Sequence, residues 1–194
     1  MARIESAMLA LGTSAPDFVL TDVVTGHQVS TQAVSGPKGT LVMFICRHCP
    51  FVKHLERALA QLGRNYETSG VGVVAISSND AANYPDDAPR SLAEQATELG
   101  FIFPYLYDET QEVARAYDAA CTPDFFLFDD GLKLVYRGQF DDSRPASNIP
   151  ITGRDLRAAL DALIAGKPIS PEQRPSLGCN IKWKWGARLK ISGT

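Results

Sequence analysis

No stretch of this chain stays apolar for the roughly 18 residues that a membrane-spanning helix needs, so no segment is expected to cross a bilayer. The short apolar patch Ala7–Leu11 follows Glu5 and has only Arg3 for charge, too little for a signal-peptide core. Neither sign of charge is in excess. With 19 Lys and Arg against 22 Asp and Glu, the net charge of −3 gives no reason to expect a nucleic-acid partner. Internal repeats are lacking. Cysteine is scarce, four in 194 residues, which is too few for a secreted disulfide scaffold. A chain of this length, 45% apolar and 21% charged, buries a core without such staples. The default compartment is cytoplasmic. In a reducing cytoplasm a close pair of cysteines is more often catalytic or metal-binding than structural.

Such a pair is present in Phe44-Ile45-Cys46-Arg47-His48-Cys49-Pro50-Phe51. It follows a run that reads as a buried strand (40–45) and precedes one that reads as a helix (50 to about 63). A strand-to-helix corner leaves backbone N–H groups unpartnered, and the helix dipole adds about half a positive charge there. A thiol in that place is pushed from a free pKa of ~8.5 toward thiolate, the reactive form. Proline separates the two possible registers. Pro50 lacks an N–H and has a fixed φ, so it belongs at the first helical position, which makes Cys49 the cap and the expected nucleophile. Cys46, one turn earlier, is within reach of a disulfide and is its expected partner. Arg47 and His48, lying between the sulfurs, are expected to favour thiolate further.

The pattern of elements is interleaved. A short hairpin (18–20 and 27–30) precedes the strand and helix, and Phe51, Leu55, Leu59 and Leu62 make one helical stripe. Val71–Ile76 reads as a central, doubly covered parallel strand. A helix is expected from Ser91, with Ser91 and Glu94 as a capping box, up to Gly100. A short strand or extended segment (101–107) and a short helix starting at Asp108 or Thr110 and ending near Tyr117 follow. Strands at 125–128 and 132–137 are joined by Asp130-Gly131, the signature of a type I′ hairpin. The last helix runs from about Gly153 to Ala165. The expected fold class is α/β, a mixed central sheet flanked by helices. Residues 1–166 form the domain, and 167–194, broken by Pro168, Pro171 and Pro175, an irregular C-terminal tail strapped to it.

Ala15-Pro16-Asp17-Phe18, the stretch Phe44–Pro50, Phe103-Pro104, Ala116-Tyr117 and Thr122-Pro123 resemble, in this order, the thioredoxin superfamily and its peroxiredoxin-like (AhpC/TSA-like redoxin) branch. The tail phrase Gly178-Cys179-Asn180-Ile181-Lys182-Trp183-Lys184 is similar to one subgroup of that branch. The resemblance implies a thioredoxin-like fold with an N-terminal β-hairpin extension. It also implies a cis Pro123 packed beside the nucleophile, with Thr122 before it. The departures concern chemistry. Thioredoxins carry a cysteine three residues after the nucleophile, where this chain has Val52. Peroxiredoxins carry Thr or Ser three before it, where this chain has Cys46. No arginine to polarise a peroxide is evident, Arg137 and Arg144 being candidates.

The expected function is therefore a thiol–disulfide oxidoreductase, with antioxidant thiol peroxidase activity at Cys49 as a weaker alternative. Its partners would be protein or small-molecule disulfides or peroxides and an external thiol reductant, with no cofactor, no metal, no nucleic acid and no membrane. Cys121, next to Thr122, and Cys179, in the tail, are further candidates for a resolving or relaying sulfur. Another alternative is a copper or zinc carrier using Cys46, Cys49 and His48 or His54. The loop with Tyr84, Asp86 and Asp87 sits at a strand end that could shape access. Lys182, Lys184, Arg188 and Lys190, interleaved with Trp183 and Trp185, read as a solvated edge.

Overall fold

The computed structural model describes residues 3–184. Trp185, Arg188 and Lys190 lie outside the described residues. In chain order the elements are β1 (Arg3–Glu5), β2 (Val19–Asp22), β3 (Gln28–Ser30), α1 (Thr31–Val34), β4 (Gly39–Phe44), α2 (Pro50–Tyr66), β5 (Val71–Ser77) and α3 (Pro89–Leu99), followed by β6 (Tyr105–Tyr107), α4 (Glu112–Ala116), β7 (Cys121–Thr122), β8 (Asp124–Asp129), β9 (Leu134–Arg137), α5 (Arg154–Ile164) and β10 (Leu177–Asn180).

The central sheet is mixed. β2 pairs antiparallel with β3 and with β6, β6 runs parallel to β5, and β4 pairs antiparallel with β8, which in turn pairs with β9. β5 meets β4 where the Ile45 N–H donates to the Ile76 carbonyl at 3.0 Å. Alternation along the strands splits the core in two. Leu41, Met43, Phe125 and Leu127 face a cluster that takes in Leu55, Leu59 and Leu62 of α2, Leu92 of α3 and Leu156 and Leu160 of α5. Val42, Phe44, Phe126 and Phe128 face the other cluster, with Ala114 of α4 and Tyr117. Each such side chain contributes about 1.5–3 kcal/mol by leaving water. The α2 stripe, the buried β4 and the doubly covered β5 are thus as expected from the sequence.

Four elements differ from expectation. α3 opens at Pro89 with Ala88 as its cap, because proline at the first position already sets the helical φ. Ser91 then lies inside the first turn, where its hydroxyl donates to the Pro85 carbonyl, and no capping box forms. The β8–β9 connection is not a two-residue type I′ turn. Leu132, not Asp130 or Gly131, takes the left-handed conformation, and the loop closes through the Asp129 carboxylate, which accepts from the Gly131 and Lys133 N–H groups. β1, Arg3–Glu5, has no counterpart in the expected pattern; it is a strand because β10 pairs with it.

The fourth is the tail, which is not wholly irregular. β10 pairs antiparallel with β1 on one side and β7 on the other, making a second, three-stranded sheet. It approaches so closely that a Cβ at Gly178 would lie 2.1 Å from the Thr122 carbonyl oxygen, so only glycine fits. Cys179 and Ile181 enter the two core clusters. Lys182 is no solvated edge: it is buried, its Nζ donates to the Asn180 carbonyl at 2.6 Å, and it lies over the Tyr84 ring.

Candidate active site

The corner after β4 is built as proline dictates. Pro50 is the first residue of α2 and Cys49 is its N-cap, with extended backbone (φ −68°, ψ 124°). The Cys49 side chain makes no capping hydrogen bond, and its sulfur sits buried beside the first turn of α2. Across the corner comes β7 with the Thr122–Pro123 bond, which is cis. Cys49 Sγ lies 3.2 Å from the Thr122 carbonyl oxygen, and Cys46 Sγ lies 3.3 Å from the Thr122 hydroxyl. The structure thus brings Cys46, Cys49, Thr122 and Pro123 to one place. β10 adds Cys179, whose register partner is Thr122. All four cysteines are buried free thiols.

Burial of a thiol normally disfavours its anion. At Cys49 hydrogen bonding wins instead. The neighbouring Cys46 thiol favours the Cys49 anion most, and although burial opposes ionisation, the Cys179 thiol, the Val52 N–H of the first helical turn and Thr122 add to the effect, bringing Cys49 down to about 5. Protonated, Cys49 can donate to the Thr122 carbonyl; ionised, it exchanges that bond for these donors. The partner moves the other way. Burial, the bond to Cys49 and the nearby Asp87 carboxylate push Cys46 well above the ordinary thiol range. Burial and the Cys49 sulfur push Cys179 up to about 12. Burial and the Asp124 carboxyl push Cys121 up as well, and its own S–H donates to the Pro123 carbonyl at 3.5 Å.

His48 Nδ1 lies 4.0 Å from Cys46 Sγ, whereas the Arg47 guanidinium is engaged away from the sulfurs. Arg47 turns to α3, where its guanidinium donates to the Ser91 carbonyl and to Glu94 at 3.0 Å. His48 donates from Nδ1 to the Asp87 carboxylate and stacks on Tyr84, with ring centroids 5.3 Å apart. Asp87 is the site residue whose role the sequence did not disclose. It is fully buried, and it accepts from the Arg47 N–H (2.8 Å), the His48 N–H (3.1 Å) and Asn79 Nδ2 (2.8 Å) as well as meeting the His48 ring. Burial would raise its carboxyl, but the bonds from His48 and Asn79 outweigh this and hold it below the usual carboxylate range. The only sequence signal was its place in the loop after β5, the end of the sheet where α/β folds collect their sites.

Ligands for a metal are incompletely assembled. Among the described residues Cys46, His48 and Asp87 offer atoms within 4.8 Å of one another. The His48 and Asp87 atoms are already bound to each other. Cys49 is not in that group, and His54 lies elsewhere, with Nε2 3.1 Å from the Ser143 hydroxyl. The two candidate peroxide arginines are also engaged. Arg137 donates to the Leu9 carbonyl and Gln173, and Arg144 to the Asp141 and Ser143 carbonyls and Gln139.

A mixed sheet with helices on both faces, a helix that starts at a buried, activated thiol and a cis-proline strand packed on that sulfur define a thioredoxin-like, thiol-dependent oxidoreductase. Residues 11–137 match the AhpC/TSA family, and the chain belongs to that family. A thiol-disulfide oxidoreductase ResA of Geobacillus kaustophilus is 30% identical over 125 residues, 64% of this chain and 67% of the relative. An uncharacterized conserved protein from Geobacillus kaustophilus has a crystal structure with TM-score 0.94 and 57% identity, covering 96% of this chain and 99% of that one. The thioredoxin domain of a Bacteroides vulgatus thiol-disulfide oxidoreductase shares the fold, with TM-score 0.55 and 20% identity over 70% of this chain and 90% of that one. Among the described residues no helix is long and apolar enough to cross a membrane.

Proposed function

We propose that this protein reduces disulfides of proteins or small molecules, with Cys49 as the thiolate nucleophile and Cys46 as its partner in a reducing compartment such as the cytoplasm. The carrying observation is the Cys49 sulfur itself, seated at the mouth of α2 and held at about 5 by the Cys46 thiol despite burial. Cys49 Sγ attacks one sulfur of the substrate; the new S–S bond forms as the old one breaks, and a substrate thiolate leaves. Cys46, deprotonated, then attacks Cys49 Sγ, expels the second substrate thiolate and closes an intramolecular disulfide. An external dithiol returns the two electrons. No cofactor enters this cycle. The ResA name carried by the Geobacillus relative supports the reading.

Peroxide reduction at Cys49 would run through a sulfenic acid resolved by the same partner. The engagement of Arg137 and Arg144 elsewhere favours the disulfide reading over it. The His48–Asp87 bond likewise disfavours a metal carrier.

Alkylation of Cys49 followed against pH tests the assignment, with a midpoint near 5 expected rather than the ~8.5 of a free thiol. Cys49→Ser is expected to abolish reduction of insulin and of a small disulfide. Full activity of that variant in both assays would overturn the assignment.

A further inference from the structure

Three sulfurs, not two, meet at the active corner. β10 runs antiparallel to β7 with Cys179 opposite Thr122, the residue whose carbonyl oxygen lies 3.2 Å from Cys49 Sγ. Cys46, Cys49 and Cys179 pack into one buried cluster. The register is enforced. Gly178 is the position that touches the Thr122 carbonyl, where no Cβ fits, and the Ile181 N–H donates to the Ala120 carbonyl at 3.1 Å. A slip of one residue would turn Cys179 to the other face of the strand.

We propose that Cys179 is a second resolving sulfur, which closes a Cys49–Cys179 disulfide and so fastens β10 to the active corner. The proposal rests on Cys49 being the nucleophile. After Cys49 has attacked a substrate R–S–S–R′ and released R′–S⁻, it carries a mixed disulfide with R. The Cys179 thiolate attacks Cys49 Sγ; the Cys49–S–R bond breaks, R–S⁻ leaves and takes up the proton that Cys179 gave up, and the Cys49–Cys179 bond forms. Substrate gains two electrons and the two cysteines lose them. An external dithiol restores both.

The charges around the two candidate resolvers differ in a way that favours Cys179. Besides burial, the influence that holds Cys179 protonated is Cys49 itself, and Lys182 opposes it. Once Cys49 is bonded to R, its negative charge is gone and the cation remains. Cys46 gains the same relief from Cys49, but the Asp87 carboxylate stays beside it. The neighbouring charges therefore oppose the Cys46 thiolate throughout the cycle, and the Cys179 thiolate only while Cys49 is free.

The test is stoichiometric. Cys46→Ser protein is treated with one equivalent of dithiobis-nitrobenzoate, the released aryl thiolate is counted and the peptides are mapped without reduction. Two aryl thiolates per chain and a Cys49–Cys179 peptide are expected. Cys46→Ser/Cys179→Ser is expected to release one and to keep the aryl group on Cys49; Cys46→Ser/Cys179→Ala, which buries no hydroxyl, repeats the measurement should the serine variant misfold. One aryl thiolate from Cys46→Ser with Cys179 recovered free, or a Cys49–Cys121 peptide, would overturn the role of Cys179 while leaving Cys49 as nucleophile. No label or disulfide on Cys49 in any variant would overturn the nucleophile assignment and this proposal with it.

Discussion

Cys49 and Cys121 are both fully buried, and both sulfurs rest against the same short segment, one 3.2 Å from the Thr122 carbonyl and the other 3.5 Å from the Pro123 carbonyl. Their chemistry diverges because of what else surrounds them. Cys49 faces donors: another thiol, a helix N–H and the Thr122 side. Cys121 faces Asp124, a carboxyl itself pushed up to about 8 by burial. Burial alone silences a thiol; convergent donors reverse the effect. Depth alone therefore does not set the ionisation of a sulfur in this protein.

The comparison is broken most directly by exchanging each sulfur for oxygen. Cys49→Ser is expected to lower the rate of disulfide reduction by about three orders of magnitude or more, whereas Cys121→Ser should leave it within about twofold of the parent protein. Steady-state turnover of a small disulfide checks both. Equal losses would erase the distinction.

The Cys121 side also predicts a pH dependence of stability. The Asp124 carboxyl titrates at about 8 in the folded protein and near 3.9 when unfolded. Between these values the native state holds a proton that the unfolded chain has lost, so stability falls as pH rises from about 4 to about 8 and levels off above. Asp124→Asn is expected to flatten that slope, worth on the order of a few kcal/mol across the window. Denaturant melts at several pH values measure it, and an unchanged slope refutes the assignment.

A finer cut separates Cys46 from Cys49. Asp87→Asn removes the anion that opposes ionisation of Cys46 and is expected to bring alkylation of Cys46 to lower pH. It also leaves the donors of Arg47, His48 and Asn79 with a weaker acceptor, at about 1–3 kcal/mol of stability. No movement of the Cys46 profile would count against an electrostatic role for Asp87. The smallest effect belongs to Arg47. Its bonds to Glu94 and Glu98 are partly exposed, so Arg47→Ala should cost no more than about 1 kcal/mol and leave the Cys49 midpoint in place. A raised midpoint would mean that the guanidinium charge reaches the sulfur after all.

What the sequence disclosed was local. Pro50 alone set the register of α2 and so seated Cys49 at its mouth, and the 3.6-residue stripe of Phe51, Leu55, Leu59 and Leu62 gave the buried face. Thr122-Pro123 was legible through a family resemblance rather than through physics. What stayed hidden depends on contacts between distant segments. Asp87 reaches the corner from a loop 39 and 40 residues further along the chain than its partners His48 and Arg47, and one acid among several in a polar loop carries no sign that it will accept four hydrogen bonds in the interior. β10 was hidden for the same reason. Leu177–Asn180 shows no alternation, and only the glycine that fits against Thr122 marks it as a strand.

The second sheet joins positions at opposite ends of the described chain, since β10 lies between β1 and β7. A ribosome releases residues 46 and 49 long before residue 179, so a growing polypeptide displays its reactive corner without the strand that later roofs it.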